Sequence, residues 1–494
     1  MTAMDLVGAN LEDEFGGVDL GDIRLNCRLF KIAGRLGASP TMSIPAATNG
    51  RAEMEAAYRF FDNDKVSPES ILAPHREATL ERIKQCKMVV LAQDTTEFNL
   101  TRPNSEVQGT GPLSTETRRG SYYHPLIAFD LEKLNLGTVW NKHWVREKIH
   151  VGRSELEKQK AKNSTPIEDK ESVRWLEGVR AAREVAQQCP NTQCVCVSDS
   201  ESDIYELFAE PLGTSTGKQL HLVIRACRDR LVDHPERKIL AAVRSTPCLY
   251  TCRVDISSRK AKAVAQRKSP RTAAREARTA ELEVRAISLN FKPADRPDRT
   301  LPALTLNVVL AEEVNPPEGQ EPIQWILITT LPIASKENVQ LVVQCYCIRW
   351  QIEVYFRTLK SGCNVEERLF ERFSRFNNCL SVYIVVAWRV LYLCHLGRNC
   401  PDMDCEAVFT SSEWKSVYMV VTREPVPVKP PRLNQIIRMI ATLGGYVNRK
   451  TTHPGAQTLW LGLQRVNDLA QAWDSFGPET RENKKISLPT CVEH

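Results

Sequence analysis

Apolar positions Leu25, Leu29, Ile32 and Leu36 fall at i, i+4, i+7 and i+11, the period of one helical face. Arg24, Arg28, Lys31 and Arg35 repeat that spacing one residue earlier, so a basic stripe runs beside the apolar one. Such a stripe suits either a solvated helix face or a phosphate backbone. Residues 51–61 predict a second helix. A third starts near Ser67-Pro68, with serine as N-cap and proline in the first turn, giving a helical N-terminal domain over 1–75. From Met88 the pattern shortens to MVVLAQD, SYYHPLIAFD and NLGTVWNKHWVRE, which read as three strands. A helix over 170–187, a buried strand closing on Asp199, a helix over 201–209 and a strand over 220–225 follow, in the order βββαβαβ.

Residues 228–332 read as a strand-rich insertion carrying LTLNVVLAEEV and IQWILITTLP. Its segment 253–278 holds Arg253, Arg259, Lys260, Lys262, Arg267, Lys268, Arg271, Arg275 and Arg278 against only Asp255 and Glu276, a phosphate-seeking loop. Helices dominate from Lys336, broken by the proline-rich linker at 423–432, and the tail over 456–473 is amphipathic. The pattern sets a core domain over 76–422 and a C-terminal helical domain over 423–494. The most apolar stretch, 380–396, contains Arg389 and reads as a buried helix rather than a membrane span.

At 494 residues the chain exceeds what one core supports, and with 42% hydrophobic and 26% charged residues it is neither disordered nor fibrous. The net charge of +6 permits nucleic acid without requiring it. Sixteen cysteines without an apolar leader point to reduced thiols in the cytosol. Cys394, His395, Cys400 and Cys405 lack the spacing of a zinc ribbon or finger and leave zinc open. Gly213 to Lys218 resembles a phosphate loop but has one intervening residue too few, so nucleotide binding is set aside.

The segment from Tyr346 to Lys360 has neither glycine nor proline and predicts one helix, with Tyr346, Arg349, Glu353 and Lys360 projecting from one face. The same residues suit an ion-paired helix surface. Two apolar strands, however, also end in acids, Asp94 and Asp199, and a charge at the end of a buried strand must be paired, hydrogen-bonded or metal-bound. Two such acids with a helix-borne glutamate make a hard-oxygen pocket for Mg²⁺ or Mn²⁺, suited to phosphoryl transfer. Asp203 rivals Asp199, but its place in the first turn of the following helix is explained by the helix dipole alone.

These motifs resemble those of the DDE transposases of the bacterial IS-four family over nearly the whole chain. The helix matches the family signature Y-x2-R-x3-E-x6-K at every position. DTT at Asp94, DSESDIYELF at Asp199, AYRFFDN, LAEEVNPP and LGGYVNRK resemble further family segments. The resemblance implies an α/β fold: a ribonuclease H-like core with a strand-rich insertion, flanked by helical domains. It implies Asp94, Asp199 and Glu353 as a triad binding two Mg²⁺ or Mn²⁺ ions per active site, with Tyr346, Arg349 and Lys360 on transposon-end phosphates. Trp325 stands where the family places a tryptophan that stacks on a flipped base. Arg225 and Arg357 are implied DNA contacts, although Cys227 stands where a second basic residue is expected and Arg357 replaces a lysine.

The implied activity is cut-and-paste transposition by a homodimer in a synaptic complex on double-stranded end DNA and target DNA, in the bacterial cytoplasm with no membrane. A catalytically inactive DNA-binding relative that inhibits transposition, and a ribonuclease H-like nuclease without strand transfer, are the competing readings.

Overall fold

The computed structural model describes residues 11–115, 117–147, 165–213, 220–256, 276–296, 298–447 and 452–478. Most of the basic segment of the insertion, residues 214–219 of the phosphate-loop-like motif and residues 448–450 of LGGYVNRK lie outside that set.

The first 84 residues contribute the helices Leu11–Glu14, Ile23–Ala38, Ile44–Ala47, Arg51–Phe61 and Pro68–Lys84. The helix Ile23–Ala38 buries Leu29, Ile32 and Leu36 as its period requires, and the Asp22 side chain caps it by accepting from the Arg24 amide at 2.9 Å. Ser67 caps the helix Pro68–Lys84, with Pro68 in its first turn. That helix runs through residue 75, so the N-terminal helices continue directly into the core.

Among the described residues one sheet holds every strand: β1 (Met88–Gln93), β2 (Thr96–Asn99), β3 (Gly111–Pro112), β4 (Arg119–Phe129), β5 (Asn135–Trp144), β6 (Gln193–Ser198), β7 (His221–Arg225), β8 (Tyr250–Ile256), β9 (Arg278–Phe291), β10 (Leu304–Glu313) and β11 (Gln324–Thr329). β4 pairs antiparallel with both β1 and β5, while β1, β6 and β7 run parallel, the ribonuclease H-like arrangement that the order of strands and helices implies. Among the described residues, the insertion forms no sheet of its own. β11 pairs antiparallel with β7, and β10, β9 and β8 extend the same sheet. The short strands β2 and β3 and the helix Ile239–Arg244 carry patterns too brief to read from sequence. The expected helix over 201–209 is a 3₁₀ turn, Ser200–Ser202, followed by the single turn Tyr205–Phe208.

Strand alternation sorts the two faces of the sheet. Gln93 faces the helix Val173–Gln188, which approaches so closely at Gly178 that an added Cβ would lie 2.1 Å from Gln93 Oε1. Asp94 therefore faces the opposite side, toward the helix Lys336–Ile348. The helices Phe373–Asn399, Ser411–Thr422, Leu433–Leu443 and Ala456–Phe476 complete the C-terminal part. Phe373–Asn399 is long and apolar enough to cross a membrane, yet 89% of its apolar window is buried inside the protein.

A buried ionic knot joins the N-terminal helices to the sheet and to this long helix. Arg82 donates to both Glu14 oxygens, at 2.8 and 3.0 Å, and to the Leu136 carbonyl at 2.6 Å, while lying 4.4 Å over the Trp388 ring. The Thr138 amide donates to His75 Nε2 at 3.0 Å, which leaves Nδ1 to donate to Glu14 at 2.5 Å. Burial holds the His75 imidazole below its ordinary value despite Glu14, so the ring is neutral. Burial disfavours the Glu14 charge too, but His75 and Arg82 outweigh it and keep the carboxylate below its usual range.

Both shifts have the same sign for stability: the unfolded chain takes up protons on His75 and Glu14 at a higher pH than the folded one, so stability falls as pH falls. Melting temperature should therefore drop between pH 7 and 5, and His75→Gln, which can keep both hydrogen bonds without titrating, should flatten that drop. An unchanged slope in the variant would remove His75 from the acid sensitivity.

Candidate active site

The parallel register places the strand-end acids side by side. Ala92 pairs with Val197 and Val197 with Val223, so two residues further on Asp94, Asp199 and Arg225 stand level at the carboxyl ends of β1, β6 and β7. Adjacent strands lie about 4.8 Å apart, and residues level with one another point to the same face. The third acid comes from the helical segment on that face. Arg349 bridges to it, donating to Asp94 Oδ2 at 3.0 Å and to Glu353 Oε1 at 2.8 Å.

Asp94 is the strained member of this group. Its side chain is 18% exposed, and the Thr95 amide donates to Oδ1 at 2.7 Å. Burial first, and then the neighbouring charge of Asp199, push the Asp94 carboxyl up to about 7; Arg349 and the Thr95 amide oppose this, and Glu353 adds to it. Asp199 caps the 3₁₀ turn by accepting from the Glu201 amide at 2.9 Å. Three carboxyl groups thus face one directly paired guanidinium, an excess of acid over base that suits a divalent cation. Among the described residues, no three carboxylate, histidine or cysteine side chains are already drawn together tightly enough to hold a metal. Arg349 lies between two of the acids instead.

Asp203 is committed elsewhere. Its side chain is fully buried, accepting from the Cys227 amide at 2.9 Å, the Arg228 amide at 3.2 Å and Arg230 Nε at 3.0 Å, so it shapes the turn after β7.

The expected single helix from Tyr346 to Lys360 is interrupted twice. The helix Lys336–Ile348 tightens at Arg349, whose amide reaches back only to the Tyr346 carbonyl, and a second helix, Trp350–Arg357, resumes from there. The segment then widens into a π turn, Thr358–Gly362. Gly362 seats this turn directly on the Trp460 indole, where a Cβ would come within 2.9 Å. Lys360, carried by this turn, places its Nζ 3.8 Å from Glu366 and 5.7 Å over the Phe98 ring. Tyr346 is buried, with Arg349 on one side and Trp325 edge-on to it at 5.3 Å. Trp325 is half-buried on β11, and Arg225 reaches the Gln324 carbonyl at 3.4 Å, while Arg357 is exposed.

Three family models match the sequence: transposase DNA-binding over residues 8–66, the transposase DDE domain over 180–387, and the transposase Tn5 dimerisation domain over 385–473. The chain belongs to the Tn5-like DDE transposases. Among solved structures it is similar to the piggyBac transposase in its synaptic complex with hairpin DNA, at 10% identity and a TM-score of 0.36, over 96% of this chain and 78% of that one. Asp199 and Glu353 fall inside the DDE-domain match, and Asp94 precedes it.

In this transposase the basic stripe of the N-terminal region is only partly free. Arg24 pairs with Asp22 at 2.8 Å and Arg35 with Glu53 at 3.3 Å. Arg28 and Lys31 stay on the open side, and Arg24 and Arg28 share a groove with Arg59 and Lys65, two cations the stripe did not reveal because they lie in and after the helix Arg51–Phe61. Also missed were Glu366, which accepts from the Asn99 amide at 2.7 Å beside Lys360, and Trp350, 44% exposed next to Arg349. The cysteines among the described residues are unpaired, and Cys394, His395, Cys400 and Cys405 form no metal-binding group there.

The two rival acids should separate by stability. Asp203→Ala should cost about 3–5 kcal/mol, because it strands Arg230 and two amides. Asp199→Asn, which keeps the cap, should change stability by less than about 1 kcal/mol. Equilibrium unfolding of the metal-free protein checks both, and a large loss for Asp199→Asn would make that acid structural.

Proposed function

We propose that the chain is a cut-and-paste DNA transposase that cleaves transposon ends and joins their 3′-OH groups to target DNA, acting as a dimer. The observation that carries this reading is the level placement of Asp94 and Asp199 by parallel β1 and β6, with Glu353 tied to Asp94 through Arg349. Asp94, Asp199 and Glu353 would hold Mg²⁺ or Mn²⁺, two ions per site, which when bound supply the Lewis acidity that in-line displacement at phosphorus requires. Arg349 presents a planar fork that fits phosphate as well as carboxylate, so it can leave Asp94 and Glu353 for an end phosphate. Tyr346 braces Arg349 and Trp325. Lys360, over the Phe98 ring, would add a further cation for the backbone.

Four displacements would follow from one site: hydrolysis of one strand, attack of the freed 3′-OH on the opposite strand to form a hairpin, hydrolysis of the hairpin, and attack on target DNA. Trp325 presents a half-buried indole suited to stack on a base displaced while the hairpin forms, a contact worth about 1–3 kcal/mol. The groove lined by Arg24, Arg28, Arg59 and Lys65 supports end binding by the N-terminal helices, and the match to the Tn5 dimerisation domain supports pairing through the C-terminal ones.

Glu353→Ala should retain end binding in a gel shift and lose nicking with Mg²⁺, and full nicking would reject the triad. Trp325→Ala should nick nearly normally but accumulate few hairpins. Equal loss at both steps would argue against stacking. If Arg28 and Lys31 each meet a phosphate, replacing either by alanine should lower the slope of log affinity against log salt by about 0.9, and an unchanged slope would place the ends elsewhere.

A further inference from the structure

On the reverse face of the sheet, behind the proposed metal site, Arg174 occupies an unfavourable position. It is the second residue of the helix Val173–Gln188, where the helix dipole disfavours a cation, and its side chain is only 11% exposed. Its hydrogen bonds explain the placement. Nε donates to Thr95 Oγ1 at 2.8 Å and Nη2 to Glu201 Oε2 at 3.2 Å, while Nη1 donates to the Glu171 carbonyl at 3.0 Å. Thr95 follows Asp94 and donates its amide to that carboxylate; Glu201 does the same for Asp199. One planar guanidinium therefore spans the two turns that carry the strand-end acids.

The surroundings hold Arg174 in that pose. Its guanidinium lies 5.2 Å over the Trp175 ring and 5.7 Å over the Trp144 ring. Thr95 Oγ1 is in turn 2.8 Å from His124 Nδ1, His124 Nε2 is 3.1 Å from Gln93 Oε1, and Gln93 Nε2 donates to Cys196 on β6. The chain of contacts starts and ends on the pair of strands that bear Asp94 and Asp199.

The geometry assigns Arg174 as a positioning residue that fixes the separation of Asp94 and Asp199, so that the two can share divalent cations. The assignment rests on the proposed metal-binding triad and adds to it a residue that touches neither metal nor DNA. Lysine at 174 keeps the charge but has no fork with which to reach Thr95 and Glu201 together.

The test is Mn²⁺ binding to the full-length protein without DNA, followed by electron paramagnetic resonance, alongside melting temperature. Arg174→Lys and Thr95→Val should each weaken Mn²⁺ binding by about tenfold, as loss of a residue that orients metal ligands does. Both should melt within a few degrees of wild type. Thr95→Ser should restore binding, and the double variant should lose little more than either single one, because both cut the same tether. Glu353→Ala provides the separate check on the triad. If Mn²⁺ binding is the same in Glu353→Ala as in wild type, the metal reading fails and this assignment fails with it. If Glu353→Ala loses Mn²⁺ while Arg174→Lys and Thr95→Val keep it, the assignment alone is overturned.

Discussion

The pairing of β1 with β6 is the constraint on which the remainder rests. Both strands are buried, so their register is held by apolar side chains on both faces, and a slip of one residue would turn Asp94 to the reverse side of the sheet. The acids themselves contribute nothing to that register. MVVLAQ and QCVCVS pack, and the two carboxylates emerge where packing stops. The helix Lys336–Ile348 covers the same face and brings Arg349 to Asp94, so the third acid arrives by packing as well.

Three buried or half-buried carboxylates show how differently the protein treats negative charge. Glu14 has His75 and Arg82 as partners, and Asp203 has Arg230 and two amides; both are satisfied and both join segments distant in sequence. Asp94 has one guanidinium and one amide, but shares its surroundings with two further acids. The first two hold the fold together. The third leaves an incompletely matched acid at a strand end, where a fold seeking only stability would have placed a neutral side chain.

Much of this was legible in the letters. The amphipathic helix at Ile23–Ala38, the cap at Ser67, the three strands that follow Met88 and the two acids at strand ends each follow from local period or local chemistry. What escaped depends on distant partners. The period of 3.6 residues could place Tyr346, Arg349, Glu353 and Lys360 on one face, but not foresee that Arg349 would tighten the backbone or that Lys360 would sit in a π turn beside Glu366. Arg174 stood inside the expected helix over 170–187 and Thr95 in the DTT segment, and nothing in either records that they meet. The insertion read correctly as strands, yet its joining the central sheet through β7 and β11 is a long-range pairing that no local pattern encodes.

The seat of Gly362 on Trp460 reaches beyond local packing. Trp460 belongs to the helix Ala456–Phe476, within the region matched by the dimerisation model, and Gly362 ends the turn that carries Lys360. With no side chain to cushion the contact, any sliding of that terminal helix must be absorbed by the turn. A displacement of that helix is thereby passed to the lysine by a path that bypasses the sheet.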